Sequence, residues 1–187
     1  MASITLFGPL TGYTAAAPGT YKPTIQHDPV NAVMKITVDL AKALAAFKAS
    51  NNNVAATATD KIALAPLSRG LQLLSGKIVV NKLGSKATAL TAGQVFTIGD
   101  TSTPTKFAAA GAVKMQASGG VVSTVGTPAA LVGTPVSYDA ADDALVLGFV
   151  TVDAANELPV DGIFELSIPI TNMLPELKAS LVNGSLI

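Results

Sequence analysis

The chain has 187 residues, enough for one domain with a sizeable core but too few for two full domains. Only 13% of its residues are charged and 49% are apolar, against roughly 25% charged in an ordinary soluble domain, so we expect part of the apolar excess to lie in subunit contacts. Lysine plus arginine equals aspartate plus glutamate at 12 each, and cysteine is absent, which argues against nucleic-acid binding and excludes disulfides and thiolate metal sites.

Residues 1–35 are predicted to form an extended arm, because their prolines and glycines block continuous helix or ladder pairing. The arm is too apolar for a solvated tail, so it either packs on its own domain or docks on a neighbouring subunit. The candidate interface residues in it are Leu6, Phe7, Leu10, Tyr13, Tyr21 and Ile25. The arm has no secretory-signal pattern, and no run in the chain approaches the roughly 18 apolar residues of a membrane span, so we expect synthesis in a cytoplasm and no membrane partner.

A short strand at 34–38 is followed by the one predicted helix. Asp39 stands in N-cap position, where its carboxylate can accept from free backbone N–H groups. Leu40, Leu44 and Phe47 then recur at helical spacing. The asparagines at 51–53 end the helix, because asparagine tolerates the left-handed conformation.

After the helix the pattern changes to the alternation typical of strands. Strands are predicted at 61–65 (stopped by Pro66), 71–82, 87–90, 95–98, 107–116, 121–125, 144–152 and 163–170, with loops around Pro128 and Pro135. Residues 144–152 are apolar on both faces and are predicted to be central in a sheet or half in an interface, whereas 163–170 have one polar face. Residues 95–107 predict strand, turn, strand.

These elements predict an all-β fold, a β-sandwich that is jelly-roll-like, with an extended N-terminal arm and one short helix. An immunoglobulin-like sandwich is the alternative topology. The predicted domains are the arm at 1–35, the sandwich at 36–173 and a C-terminal tail at 174–187.

Titratable groups that could support catalysis are scarce. His27 is the only histidine, it lies in the arm, and no nucleophile motif accompanies it. Asp100 has no histidine, cysteine or acidic partner nearby in sequence, so it is interpreted as the polar end of a strand that shapes a loop. We predict no catalytic residues, no cofactor-binding residues and no enzymatic activity.

Two groups of acidic residues are candidates for binding sites. Calcium could be held by a loop containing Asp139, Asp142 and Asp143, but the EF-hand pattern is missing and a solvated turn is favoured. A glycosidase pair could be drawn from Asp153, Glu157 and Asp161, but the chain has no tryptophan to form a sugar platform. We therefore predict no metal site.

Several short motifs carry a resemblance to a known group of proteins. They are V-D-L-A at 38–41, K-I-A-L-A-P-L at 61–67, G-L-Q-L-L at 70–74, F-T-I-G-D at 96–100 followed by Pro104 and Phe107, Y-D-A-A-D-D at 138–143 with L-V-L at 145–147, and E-L-S-I at 165–168. Through these motifs the chain resembles the capsid decoration (cement) proteins of tailed bacteriophages and related small virion structural proteins.

The resemblance implies a virion protein on the capsid surface. It implies a homotrimeric β-sandwich that binds the major capsid protein on the outside of a phage head and stabilises the contacts between capsid subunits. The long arm leaves a tail or fibre-base structural protein as an alternative. A carbohydrate-binding or receptor-binding β-sandwich is a further alternative. Sugar sites usually present aromatic rings for stacking, and the aromatic residues of this chain are six phenylalanines and three tyrosines, with no tryptophan.

Overall fold

The computed structural model describes residues 2–28, 32–57, 59–84, 96–109, 125, 128–132, 134–138, 141–149 and 161–172. These residues form twelve strands and one helix. The elements are β1 (Ser3–Thr5), β2 (Thr14–Ala15), β3 (Thr24–Asp28), β4 (Val33–Asp39), α1 (Leu40–Ser50), β5 (Lys61–Leu67), β6 (Leu71–Leu73), β7 (Lys77–Lys82), β8 (Phe96–Gly99), β9 (Pro128–Ala130), β10 (Val136–Tyr138), β11 (Asp143–Phe149) and β12 (Ile163–Asn172).

The strands form two sheets. The five-stranded sheet has the order β2-β1-β5-β11-β8. The seven-stranded sheet has the order β10-β6-β12-β4-β3, with β7 beside β12 and β9 beside β7. Apart from the parallel pairs β1–β2 and β1–β5, the described pairings are antiparallel. The predicted all-β sandwich with a single short helix is confirmed, and the jelly-roll path stays a prediction.

β12 is the central strand of the larger sheet, and its side chains alternate as predicted. Phe164, Leu166 and Ile168 are buried in the core, while Glu165 and Ser167 on the other face are partly exposed. One edge of β12 pairs with β4, and its other edge is shared by β7 and β6. A strand with partners along both edges cannot slip by one residue without moving its apolar face into solvent.

β11 is central in the smaller sheet, between β5 and β8, which confirms one of the two predicted positions for this apolar run. Leu145 and Leu147 face the main core. Val146 belongs to a second cluster with Ala63 and Ala144, and this cluster is covered by side chains of the N-terminal residues.

The predicted helix is confirmed at both ends. The Asp39 carboxylate accepts from the backbone N–H of Lys42 at 3.2 Å, which satisfies one free donor of the first turn. Asn51 is the C-cap, and Asn52 and Asn53 adopt φ of 51° and 62°. The helix buries Leu40 and Phe47 against the sandwich.

The two sheets meet through aromatic packing. The rings of Phe96 on β8 and Phe164 on β12 stack with centroids 5.3 Å apart and planes 12° apart. Because β8 and β12 belong to different sheets, this pair joins the two layers through the core.

Some strand boundaries differ from the sequence prediction. β5 continues through Pro66 to Leu67, because β1 pairs only with Lys61–Ala63 and Pro66 therefore needs no N–H partner on that edge. The predicted strand 71–82 is two strands, β6 and β7, broken around Gly76, where an added Cβ would lie 3.0 Å from Leu131 Cδ1. The tight contact with neighbouring chain explains why a glycine interrupts the run.

Other differences concern the region after residue 100. Pro128 lies in β9, and the segment after Pro135 forms β10, where loops were predicted. Of the predicted strand 107–116, the structure describes 107–109. The strand prediction at 87–90, nearly all of 121–125, the end of 144–152 and the tail at 174–187 lie outside the described residues.

The expected division between arm and sandwich, after residue 35, falls inside β4. β1 and β2 lie in the five-stranded sheet, and β3 lies at the edge of the seven-stranded sheet. The domain division itself stays a prediction. Among the described residues, no helix is long and apolar enough to cross a membrane.

Candidate functional site

The loop that follows β8 gathers the polar groups of one end of the sandwich. The chain leaves β8 at Gly99 and returns so that Phe107 and Ala108 donate backbone N–H groups to the Ile98 carbonyl, both at 2.8 Å. Ile98 in turn donates to the Ala108 carbonyl at 2.9 Å. The predicted strand and turn of this stretch are therefore found, whereas the predicted second strand is represented among the described residues by a single antiparallel bridge between Ile98 and Ala108.

Two glycines let this loop fold tightly against the sheet. A Cβ at Gly99 would lie 2.0 Å from the Thr103 carbonyl oxygen, far inside van der Waals contact. A Cβ at Gly148 on β11 would lie 2.7 Å from Thr97 Oγ1 and 3.2 Å from Pro104 Cβ. Glycine is needed at both positions because neighbouring chain approaches too closely for a side chain.

Asp100 is the centre of the loop, and only 1% of it is exposed. Its Oδ1 accepts from Ser102 Oγ and from the Thr103 backbone N–H, each at 2.7 Å. Its Oδ2 accepts from Lys106 Nζ at 2.6 Å and from Tyr138 Oη at 3.2 Å. Both carboxylate oxygens are therefore satisfied by donors of the same chain, as a buried charge requires.

The electrostatics follow from these contacts. Burial opposes ionisation of Asp100, but the hydrogen bonds from Lys106, Ser102 and Thr103 outweigh it and lower the pKa of the carboxyl below its ordinary value. Burial, together with the negative charge of Asp100, raises the pKa of Tyr138. The pair is therefore a carboxylate that accepts from a neutral phenol, with the Lys106 ammonium 5.6 Å from the centre of the Tyr138 ring.

Asp143, at the start of β11, organises the same loop from the other side. Its Oδ1 accepts from the backbone N–H and the hydroxyl of Thr101, at 3.1 and 2.7 Å, and from the Ala144 N–H at 2.6 Å. Asp142 accepts from the Arg69 backbone N–H at 2.7 Å. These two acidic side chains hold loop backbone in place.

The polar contacts connect the two sheets. Asp100 follows β8 of the five-stranded sheet, whereas Tyr138 ends β10 of the seven-stranded sheet. On the side of the seven-stranded sheet, the Tyr138 carbonyl accepts from the N–H of Gly70, the residue before β6, at 2.7 Å. We name the group Asp100, Lys106 and Tyr138 the inter-sheet clamp.

Tyr13 brings the N-terminal residues to the same end of the molecule. Its hydroxyl is buried and has no hydrogen-bond partner among the described residues. Burial, and then the negative charges of Asp143 and Asp100, raise the pKa of Tyr13 to about 12. Burial and these two carboxylates therefore favour the neutral form of the Tyr13 phenol.

A second buried carboxylate fastens the beginning of the chain. Asp60, 4% exposed, accepts from the Ala2 backbone N–H at 2.5 Å and from the N–H and hydroxyl of Thr57 at 2.8 and 2.9 Å. Burial opposes its ionisation, but these hydrogen bonds outweigh the burial and lower the pKa of the Asp60 carboxyl. This contact joins the start of β1 to the start of β5.

The titratable groups of the candidate site are engaged in structural contacts. The clamp carboxylate is ionised and already engaged by its own chain, so it is neither a free base nor an open ligand. His27 is exposed on β3, at the opposite edge of the seven-stranded sheet from β10. Among the described residues, no three His, Cys, Asp or Glu side chains are grouped as a metal site would need.

The remaining acidic candidates are only partly visible. Asp139, Asp153 and Glu157 lie outside the described residues, whereas Asp142 and Asp143 make the loop contacts given above. Asp161 is partly exposed. A cleft of ≈ 320 Å³ beside β1 and β2 is lined mainly by small side chains, and Lys22 is the only titratable residue among those lining it.

The six predicted interface residues all contact their own chain. Leu6 is 2% exposed in the main core. Three others, Phe7, Leu10 and Tyr13, are half-buried over the second cluster of β5 and β11. Their role between subunits stays a prediction.

The last two of the six lie near the helix and the sheet edge. The Tyr21 hydroxyl accepts from the Asp39 backbone N–H at 2.8 Å and donates to the Thr37 carbonyl at 3.3 Å. Burial raises the pKa of Tyr21. The hydrogen bond from the Asp39 backbone N–H opposes this increase, and the negative charge of the Asp39 carboxylate adds to it. Ile25 on β3 is half-buried against the core.

Sequence reasoning missed the partners of Asp100. Lys106 lies in the same loop and is the single cationic residue in 95–107, so the sequence could have indicated it as a partner of the Asp100 carboxylate. Tyr138 is 38 residues away and is brought in by β10, which was predicted as loop. The interpretation of Asp100 as a residue that shapes the loop agrees with its bonds to Ser102 and Thr103.

Comparison with known proteins adds a distant structural likeness. No protein-family model matches this chain, and a search of the curated proteins finds no match either. Among solved structures, the chain is similar to one described as "Cyanophage Pam1 capsid asymmetric unit", with 16% sequence identity and a TM-score of 0.48 over 90% of this chain and 99% of that chain. Similarity at this level does not by itself assign a partner or a position to the present chain.

Proposed function

We propose that this protein is a structural component of a tailed-bacteriophage virion, and specifically a decoration (cement) protein on the outside of the head. It binds the major capsid protein and stabilises the contacts between capsid subunits. It acts as a homotrimer and has no enzymatic activity.

The observation that carries this proposal is the inter-sheet clamp. The most buried ionised group of the candidate site, Asp100, is engaged on both oxygens by its own chain, so it serves to hold loops and sheets together. A scaffold of this kind suits a protein whose task is to persist on a particle. The low charge agrees with it, as does the resemblance of the short motifs to those of decoration proteins.

Each copy needs only a modest affinity for the shell. Apolar surface buried on docking contributes about 25 cal/mol per Å², offset by the cost of association. Because many copies bind one particle, stabilisation of the shell adds up over the copies, and trimers engage several sites at once.

The proposal is tested on purified phage particles. Mass spectrometry measures whether the protein is present, and gold-labelled antibody locates it by electron microscopy. We expect labelling over the head, and we expect particles made without the protein to release DNA at a lower temperature than complete particles.

The control is the same mutant phage supplied with the wild-type protein, which should recover the release temperature. Labelling confined to the tail would replace the decoration role by the tail or fibre-base alternative. Absence of the protein from particles would refute a virion function altogether.

A further inference from the structure

Residues 2–16, which we name the N-terminal clasp, form a unit with internal hydrogen bonds. β1 and β2 pair with each other, with Ile4 opposite Thr14 and Thr5 opposite Ala15. The Ala16 N–H donates to the Thr5 carbonyl at 2.9 Å. The two short strands of the clasp are therefore bonded to each other as well as to β5.

The clasp docks on one continuous surface formed by β5 and β11. The edge of β5 pairs with β1, and Leu6 N–H and Lys61 N–H extend this ladder with bonds of 3.0 Å to the carbonyls of Ala63 and Ala2. The outer face carries the cluster Ala63, Ala144 and Val146, which is covered by Phe7, Leu10 and Tyr13. The structure thus shows which peptide segment fits this edge and face.

A single tight turn connects the clasp to the rest of the chain. The turn is Ala17-Pro18-Gly19-Thr20, in which the Thr20 N–H and hydroxyl donate to the Ala17 carbonyl at 3.2 and 2.7 Å. Gly19 has φ of 78°, as the third residue of a type II turn requires. Opened to an extended form, four residues span roughly 13 Å, and Pro18 is compatible with that form.

We propose that the clasp exchanges between copies of this chain, so that the clasp of one copy docks on β5 and β11 of the next. The docking contacts are the same within one copy and between two copies. The free-energy cost of exchange is therefore limited to opening the turn and to the entropy that two copies lose when they associate. This inference rests on the proposed function for its driving force, because neighbouring copies on a particle raise the effective concentration.

Deleting the clasp would not test exchange cleanly. Ile4 and Leu6 are 1% and 2% exposed in the main core, so a truncated chain loses core packing as well as any contact with a neighbour. Paired cysteines avoid this problem, because the chain has no cysteine of its own.

The test uses the double variant Ser3→Cys/Lys61→Cys, because these two positions are opposite each other in the β1–β5 ladder and are both half-buried. After oxidation, non-reducing denaturing gels separate a disulfide within one copy from a disulfide between copies. We expect covalent dimers or longer chains from particles and from concentrated purified protein, and monomers from dilute protein.

The matched control is Thr5→Cys/Ala15→Cys, which joins two positions within the clasp and must give monomers in either arrangement. Ser3→Cys alone measures disulfides formed by chance contact. Monomers alone from Ser3→Cys/Lys61→Cys, in particles and in concentrated protein, would overturn clasp exchange while leaving a virion role intact. If the protein is absent from particles, the virion role fails and the concentrated protein decides exchange by itself.

Discussion

Asp100→Asn removes the charge at the centre of the inter-sheet clamp while keeping the size of the side chain. The remaining carbonyl oxygen can still accept from Ser102 and Thr103, but the new amide group points two hydrogens at Lys106 and Tyr138. Removing one partner of a buried ion pair costs about 3–5 kcal/mol in unfolding free energy. The Lys106 side chain is 29% exposed and can turn toward water, so we expect the lower part of that range, about 3 kcal/mol.

A loss of this size is large for a protein of marginal stability. Domains typically unfold at a cost of about 5–15 kcal/mol, and a change of ~3 kcal/mol lowers the Tm of a chain of this length by roughly 6–12 °C. The assay is urea denaturation followed by circular dichroism, with thermal unfolding as the second measurement. The control is Asp142→Asn, an exposed aspartate with one backbone donor, which should cost about 1 kcal/mol or less.

Double-mutant cycles identify the partner that carries the effect. Asp100→Asn is combined in turn with Lys106→Met and Tyr138→Phe, and we expect coupling energies above about 0.5 kcal/mol in both cycles, larger for Lys106 because its bond is charge-assisted and shorter. A cost for Asp100→Asn no greater than that of Asp142→Asn, or additive cycles, would refute the clamp.

Three more results are expected. The pKa values of Asp60 and Asp100 lie below 3.8 in the folded state, so the stabilisation from these two carboxylates is fully present above pH 3.8 and is lost as the pH falls through their folded pKa values. The urea midpoint should therefore fall between pH 4 and pH 2, and less steeply in Asp100→Asn; an unchanged midpoint would contradict this. All three tyrosines have raised pKa values, so the native protein should show little tyrosinate absorbance at pH 10 and should lose stability above it, whereas ordinary titration at pH 10 would exclude their burial. Phe96→Ala should lower the unfolding free energy by about 3–5 kcal/mol through loss of the stacked pair, whereas Val54→Ala, 55% exposed, should change it by less than about 0.5 kcal/mol, and similar Tm values for the two would contradict the packing.

Local pattern was sufficient for the helix and the two strongest strands. Asp39, the spacing of Leu40 and Phe47 and the terminal asparagines are all signals within one or two turns, and each is found where predicted. β11 and β12 were predictable because burial determines the order of apolar and polar residues along a strand. β11 is buried on both faces and is a continuous apolar run, whereas β12 is buried on one face and alternates.

The candidate site was not predictable in the same way, because its contacts are distant in sequence. Nothing near Asp100 indicates that Tyr138 reaches it, and β10 carries too few residues to show a period. The break at Gly76 is equally invisible in the sequence, since it depends on Leu131, which follows β9, and on Ile168 of β12. The parallel pairing of β1 with β5 was not predictable either, because a three-residue strand has no preference for direction until its partner is known.

The clamp also bears on how the cysteine-free sandwich keeps its strands in register. A slip of β8 by one residue would turn Asp100 to the other face and leave a buried carboxylate without Lys106 and Tyr138, at a cost of several kcal/mol. The correctly paired state avoids that cost but gains little beyond it, because the desolvation of the ion pair offsets most of its attraction. The expected loss in Asp100→Asn therefore measures the penalty for a broken clamp, and the double-mutant cycles isolate the coupling between partners. A large loss in Asp100→Asn with additive cycles would place the cause of the loss outside the contacts with Lys106 and Tyr138, whereas coupling energies comparable to the loss would assign it to the clamp.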